Sequence, residues 1–300
     1  MMLKLSFNPE YENCVCNYCG DFDFKILSKK DRYGLNVKTV ICKKCGLIFI
    51  NPRMTSESYQ KFYQDSYRDL ILKYKNREEK NWNLENNFVA SKKLGSSLAR
   101  FFIRYINPGT IVEIGSSTGG VLAGFKSEIP ELEIIGIEPS KEESDFANSK
   151  GIKTIVKLAE ELEPDILSAD NIIIVRSINH LFDPNKFFVW AYKSLKQNGK
   201  LIIMVLDFLS FCQKRGRLIT QIDHPFMFSC DSLINYAESN GFRIVLNDSE
   251  EGSDYIRIVA EKTDRQLPDK KNDEKNFIKS YRKLNPFKLK LNYLAGKFIK

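Results

Sequence analysis

Four cysteines carry the first recognisable chemistry of this chain. Cys16-Asn-Tyr-Cys19-Gly20 and Cys42-Lys-Lys-Cys45-Gly46 are two C-x-x-C-G knuckles with 22 residues between them. Four thiolates complete a tetrahedral Zn²⁺ site and leave no position open for a substrate, so the expected role is structural. The glycine after each second cysteine lets the backbone turn tightly around sulfur. Cys14 is a spare thiol or a substitute ligand for Cys16, and Cys212 and Cys230 read as small buried hydrophobes. The chain has seven cysteines, five of them before residue 46. That crowding reads as metal binding in a reducing compartment and not as a disulfide framework. A redox pair of the thioredoxin type would be one such motif, not two.

A second group lies in the middle of the chain. Glu113-Ile-Gly115-Ser116-Ser-Thr-Gly119-Gly120 closes one apolar run, and Glu138-Pro139-Ser140 closes the next. A Gly/Ser loop after the first strand of an open α/β sheet is where such sheets bind ligands, and an acid ending the second strand can accept both hydroxyls of a ribose. The loop lacks G-x-G-x-x-G, so its spacing suits a ligand without a pyrophosphate. The helix start near Val121 offers free N–H groups and a positive dipole end to a carboxylate.

The chain contains two histidines. His180, in Ser177-Ile-Asn179-His180-Leu181-Phe-Asp183-Pro184, and His224, in Asp223-His224-Pro225-Phe226, each follow a strand-like run. Both therefore fall at the sheet edge that carries the glycine loop. Either could take a proton from an acceptor hydroxyl or acidic carbon. Tyr59, Tyr63 and Tyr67 are spaced i, i+4, i+8, with Tyr74 further on, which predicts an aromatic helix face packed against the sheet.

These groups need a scaffold. Strands are expected at Thr110–Ile114, Glu133–Glu138, Ile152–Val156, Asn171–Val175, Lys200–Val205, Phe242–Leu246 and Tyr255–Ala260. Helices fit between most of them. One should open after Asp183-Pro184 and run to Asn198-Gly199; another should span Ser229 to Asn240. The last two strands have no room for a crossover helix and must pair antiparallel. The fold class is thus α/β, a doubly wound seven-stranded Rossmann-like sheet with a terminal antiparallel hairpin and a small N-terminal zinc module. The expected divisions are 1–53 for the zinc module, 54–107 for a helical lid or linker, 108–262 for the sheet domain and 263–300 for a basic amphipathic tail.

Composition narrows the partners. Net charge is +8, and residues 274–300 alone hold eight Lys/Arg against one acid, so the rest of the chain is close to neutral. Such a body does not resemble a nucleic-acid groove. Phe287, Leu291, Leu294 and Phe298 form an apolar stripe among lysines. It would either pack on the protein or a second subunit, or lie on an anionic membrane surface. The first residues lack the apolar core of a signal peptide, and no apolar run approaches the ~20 residues of a membrane helix. The expectation is a cytoplasmic protein whose tail, in the second case, touches the inner face of the membrane.

The glycine loop and Ile137-Glu138-Pro139 resemble the E/D-x-G-x-x-x-G and ribose-binding motifs of class I S-adenosylmethionine (SAM)-dependent methyltransferases. That resemblance implies SAM as cofactor, with Glu113, Gly115, Ser116 and Gly119 around its methionine and Glu138-Pro139 at its ribose. Cys45-Gly-Leu-Ile-Phe49-Ile-Asn51-Pro52-Arg53 is similar to the zinc-binding start of sugar C-methyltransferases and related enzymes of polysaccharide and antibiotic pathways. It implies a sugar acceptor, nucleotide-linked or in glycan assembly, and tyrosines closing over the site, with Tyr63 favoured. The segment around His180 is similar to the family's E-H-x-x-D-P motif, except that Asn179 stands where the family has Glu. His180 consequently has no adjacent carboxylate to orient it. An RNA-modifying methyltransferase and a non-catalytic assembly protein that keeps the fold are the alternatives. The first is disfavoured by Val175-Arg-Ser-Ile, which lacks N/D-P-P-Y, and the second by the intact cofactor motifs.

Overall fold

The runs Ile172-Ile-Ile-Val175 and Leu201-Ile-Ile-Met-Val205 are apolar at every position, so both faces must be covered. They form the middle of a seven-stranded sheet in the computed structural model, which describes residues 5–74, 83–163, 167–249, 253–264, 274–290 and 294. Its strands are β6 (Thr110–Ile114), β7 (Glu133–Ile137), β8 (Thr154–Ile155), β9 (Ala169–Val175), β10 (Leu195–Leu206), β12 (Phe242–Asn247) and β13 (Tyr255–Lys262). Their order is β12-β13-β10-β9-β6-β7-β8. β13 runs antiparallel to both neighbours, while β6, β7, β8, β9 and β10 pair in parallel. The doubly wound sheet with a reversed last strand is the expected one.

Alternate residues of one strand face two different cores. Ile111, Ile173, Ile202 and Val259 pack under α3 (Leu84–Phe102) and α4 (Gly120–Glu128). Val112, Ile174, Ile203 and Ile258 pack under α6 (Pro184–Ser194) and α8 (Cys230–Ser239). α3 lies directly on α4 because glycines line the contact. A Cβ on Gly95 would stand 2.2 Å from the Val121 carbonyl oxygen, and one on Gly124 would stand 2.4 Å from that of Lys92.

The N-terminal segment builds its own sheet, but not alone. β2 (Phe24–Ser28), β3 (Thr39–Cys42) and β4 (Ile48–Ile50) are completed at the edge by β11 (Phe226–Met227), a strand from the loop beyond β10. β1 (Tyr11–Glu12) pairs with β5 (Arg53–Met54). A third core joins Ile41, Ile48 and Ile50 to Phe62 of α1 (Ser56–Asp65), Phe208 of α7 (Phe208–Arg215), and Leu284 and Leu289 near the end. The module and the sheet domain are therefore fused by a shared strand and a shared core.

Three expectations need correction. The helix after Asp183 stops at Ser194, and Asn198, at φ 58°, instead marks a register shift inside β10. The tyrosine helix is broken at Ser66: Tyr59 and Tyr63 belong to α1, whereas Tyr67 opens α2 (Tyr67–Tyr74). The tail packs in a different register from the expected stripe. α9 (Glu274–Lys283) and the helical residues after it bury Ser280, Leu284 and Leu289, while Phe287 stays 72% exposed. Leu291 and Phe298 lie outside the described residues. Among the described residues, no helix is long and apolar enough to cross a membrane.

Candidate functional site

The two knuckles fold alike. In each, the glycine after the second cysteine takes a left-handed backbone (Gly20 φ 73°, Gly46 φ 79°) and its N–H donates to the first cysteine's carbonyl, at 2.8 and 2.9 Å. The four sulfurs converge, with Cys16 to Cys45 at 3.5 Å and Cys19 to Cys42 at 3.6 Å. Zn–S bonds of about 2.3 Å place tetrahedral sulfurs about 3.8 Å apart, so this tetrad fits a Cys₄ zinc ion. Cys14 is not part of it. Its N–H donates to Asn51 Oδ1 at 3.1 Å, and Asn51 Nδ2 donates back to its carbonyl. Cys212 is buried in an apolar cluster, which pushes its thiol up to about 12. Cys230 is only half-buried, at the first turn of α8.

The knuckles are latched to the sheet domain. Asn17, inside the first knuckle, donates from Nδ2 to the Asp183 carboxylate at 2.8 Å and accepts from Tyr236 of α8 at 2.8 Å. Arg53 donates to the Phe182 carbonyl at 2.6 Å and stacks over its ring at 3.7 Å. Asp183 also caps α6 through the Lys186 N–H.

At the carboxyl edge of β6 the loop is sharply bent, with Gly115 at φ 69°, Ser117 at 49° and Gly119 at 77°. A Cβ on Gly115 would lie 2.6 Å from Ser177 Oγ on a left-handed backbone, so any side chain there is strained. Ser117 N–H donates to Glu138 Oε2 and Ser140 N–H to Oε1, both at 2.9 Å. Each carboxylate oxygen keeps a further lone pair for a ligand. Pro139 sits between Glu138 and the Ser140 cap of α5 (Lys141–Ser149).

This loop concentrates buried polar atoms that have no hydrogen-bond partner: Glu113 Oε2, Ser116 Oγ and Thr118 Oγ1, with Asn179 Oδ1 on the neighbouring turn. Orphaned groups of this kind are costly unless a ligand satisfies them. Burial, reinforced by the charge of Glu138, raises Glu113 well above the ordinary carboxyl range. Burial and then Glu143 raise Glu138 to about 7. A cationic, hydroxyl-bearing ligand such as SAM fits this donor set.

The histidine turn touches the same loop. Ser177 Oγ donates to the Gly115 carbonyl at 3.3 Å, and three residues later His180 ends the 3-10 turn Ile178–His180. His180 Nδ1 lies 2.8 Å from the Asp223 carbonyl oxygen, which can only accept. Nδ1 therefore carries the proton, and the lone pair of the neutral ring sits on Nε2. The Tyr63 hydroxyl, 2.6 Å from Nδ1, donates to the same carbonyl at 3.1 Å. Tyr59 donates to the His180 carbonyl at 3.2 Å. The two imidazoles meet edge to face, 4.6 Å between centroids.

His180, His224 and Tyr63 are thus brought together. Around them stand Tyr59, from the expected aromatic face, and Asp223, Gln221 and Arg32, which the sequence pattern did not single out. Asp223-His224 is itself an adjacent acid–histidine pair, a signal that was present at the second histidine rather than the first. Burial lowers the His180 pKa, partly offset by Asp223. Burial, then His180 and Arg32, lower that of His224 much further. Asp223 is raised by burial. Donor atoms of His180, Asp223 and His224 lie within 4.8 Å of one another. The imidazoles are already engaged by the Asp223 carbonyl, Tyr63 and Gln221.

Over 111 residues the chain is 32% identical to an uncharacterized protein of Methanocaldococcus jannaschii, covering 37% of this chain and 51% of that protein. The chain thus spans about half the length of the curated relative it matches. Among solved structures it is similar to a SAM-dependent methyltransferase of Thermotoga maritima, at 22% identity and TM-score 0.47 over 60% of this chain and 94% of that one. It is also similar to a SAM-dependent methyltransferase of Clostridium acetobutylicum, at 13% identity and TM-score 0.48 over 68% and 98%. The methyltransferase-domain family matches residues 85–247, more than half of the chain and the span that runs from α3 through β12. The chain belongs to the methyltransferase-domain family.

Proposed function

We propose that the chain is a SAM-dependent methyltransferase that acts on a sugar, nucleotide-linked or part of a glycan-assembly intermediate, and carries a structural zinc ion on Cys16, Cys19, Cys42 and Cys45. One observation carries the reading. The turn that bears His180 starts on Ser177, which is hydrogen-bonded to Gly115, so a proton acceptor stands beside the loop that has unsatisfied polar atoms.

When bound, the cofactor supplies an electrophilic methyl group on a sulfonium sulfur. Glu113, Ser116 and Thr118 would hold its methionine end, and Glu138 its ribose hydroxyls. The protein's task is then alignment and exclusion of water. Methylation of a hydroxyl or an acidic carbon releases a proton, which a neutral imidazole of the His180–His224 pair accepts. Tyr59 and Tyr63 fix the His180 turn and wall the site with rings. The similarity of the 45–53 segment to sugar methyltransferases supports the acceptor class. For a lipid-linked sugar, exposed Phe287 and Leu294 among lysines would favour contact with an anionic membrane.

The test is incubation of candidate nucleotide sugars and glycan precursors with isotopically labelled SAM, read by mass spectrometry. Transfer of label to a sugar supports the reading. Label found only on RNA, or on nothing while SAM still binds, contradicts it.

A further inference from the structure

The loop that carries His224 is stapled to a turn of the cysteine module. Asp31 accepts from the N–H groups of Tyr33 and Leu35 on one oxygen and from Ile222 N–H on the other, at 2.9 to 3.1 Å. The Arg32 N–H donates to the Thr220 carbonyl at 2.8 Å. Tyr33 donates to the Asp223 carboxylate at 3.3 Å. This staple delivers the Arg32 guanidinium to Gln221, where Nη1 donates to Oε1 at 3.0 Å, backed by the Tyr74 ring at 4.6 Å.

An arginine has no acceptor, so the Gln221 oxygen must face it and the Gln221 NH₂ must face away. That NH₂ lies 2.6 Å from Nδ1 and 2.9 Å from Nε2 of His224. Whichever nitrogen accepts, a doubly protonated ring would set N–H against N–H. The amide therefore opposes the imidazolium form. His180 is arranged the other way, with Nδ1–H committed to a carbonyl and its lone pair on Nε2.

We propose that Arg32 and Gln221 are positioning residues that hold His224 as a neutral hydrogen-bond acceptor, so that the two histidines divide the work and His180 Nε2 receives the proton released by the acceptor. The cysteine module thereby sets the chemistry of the active site and does more than brace the fold. The surroundings agree. His224 faces His180 from the 3-10 turn, Arg32 from the module and Asp223 from its own loop, while Tyr33 reaches Asp223 and Tyr63 and Tyr67 reach His180. Asp223, whose Oδ2 is 3.6 Å from His224 Nε2, is a carboxylate beside the ring and would favour its charged form. The Arg32–Gln221 arm acts against it.

The assignment of His180 as proton acceptor rests on the proposed methyl transfer; the protonation state of His224 does not. With two histidines in the chain, imidazole-labelled protein gives two titrations, assigned with His180→Asn and His224→Asn. In the wild-type chain His224 should titrate well below the ordinary histidine range, and below His180. Gln221→Glu replaces the opposing donor by an acceptor and should move the His224 midpoint up by about one unit or more. Arg32→Met should move it the same way, and Arg32→Lys should restore much of the wild-type value. Zinc content and thermal midpoint report that each variant is folded. A wild-type His224 titrating at or above pH 6.5, or unmoved in folded Gln221→Glu and Arg32→Met, overturns the inference. If the titrations behave as stated but no sugar is methylated, the positioning role stands and the functional reading fails.

Discussion

The Tyr63 hydroxyl lies 2.6 Å from His180 Nδ1, and both groups converge on one oxygen, the backbone carbonyl of Asp223. A tyrosine from the helical segment and a histidine after β9 thus share a single acceptor, a carbonyl from the loop between α7 and β11. The arrangement sets the tautomer of His180 without a carboxylate next to it in sequence. Asn179, which stands where the similar family has Glu, is accordingly no obstacle to a basic Nε2.

Tyr63→Phe removes the hydroxyl and leaves the ring packing intact. The carbonyl keeps His180 as donor, so stability should fall by only about 1 kcal/mol. The orientation of His180 loosens, and kcat should fall about tenfold with KM little changed. A KM effect without loss of kcat would place Tyr63 in acceptor binding instead.

Acidification should act on both histidines. Each has a folded-state pKa below its ordinary value. The unfolded chain therefore binds protons that the folded chain refuses as pH falls below about 6.5. The histidine contribution to stability should decline from that point downward, against the opposing contribution of the raised Glu113, Glu138 and Asp223 carboxyls, and the acid limb of the rate profile should lie below pH 6.5. His224→Gln should weaken the stability effect. An acid limb at or above pH 7 contradicts the assignment.

Glu138, raised to about 7 by burial and Glu143, and Glu113, raised by burial and Glu138, should ionise when a cation and hydroxyl donors arrive. Cofactor binding should release protons at neutral pH and weaken as pH drops below about 7. Calorimetry in buffers of different ionisation enthalpy measures this directly. Glu113→Gln should leave the thermal midpoint of the free protein equal or higher, because it removes an unsatisfied buried acid. It should weaken SAM binding by about tenfold to a hundredfold.

Zinc should be present at one ion per chain. Chelation, or Cys19→Ser, should lower the thermal midpoint of the whole protein, because the Asn17–Asp183 latch and strand β11 tie the knuckles to the sheet domain. Two separate transitions, with the sheet domain unaffected, would show that the coupling is weak.

Much of this was legible in the residues. Periodicity and apolar runs place the strands of the large sheet, because each sits where burial on two faces demands it. The cysteine pairs and the glycine loop carry their chemistry in local spacing. Other features depend on contacts between distant parts of the chain. Ser66 breaks the tyrosine helix although Tyr59, Tyr63 and Tyr67 keep helical spacing, and the rings still meet across the break. The edge strand Phe226–Met227 is two residues long and exists only because β4 lies beside it. Arg32 looks like an ordinary charged residue until the Asp31 staple brings it to Gln221.

The most direct test is calorimetric titration of S-adenosylhomocysteine into the zinc-loaded wild-type protein and into Gly115→Arg, whose side chain has no room beside Ser177. One-to-one binding by the wild type, abolished in the variant while its zinc content is unchanged, is the expected result. No binding by the wild type, or undiminished binding by Gly115→Arg, would contradict the placement of the cofactor on this loop.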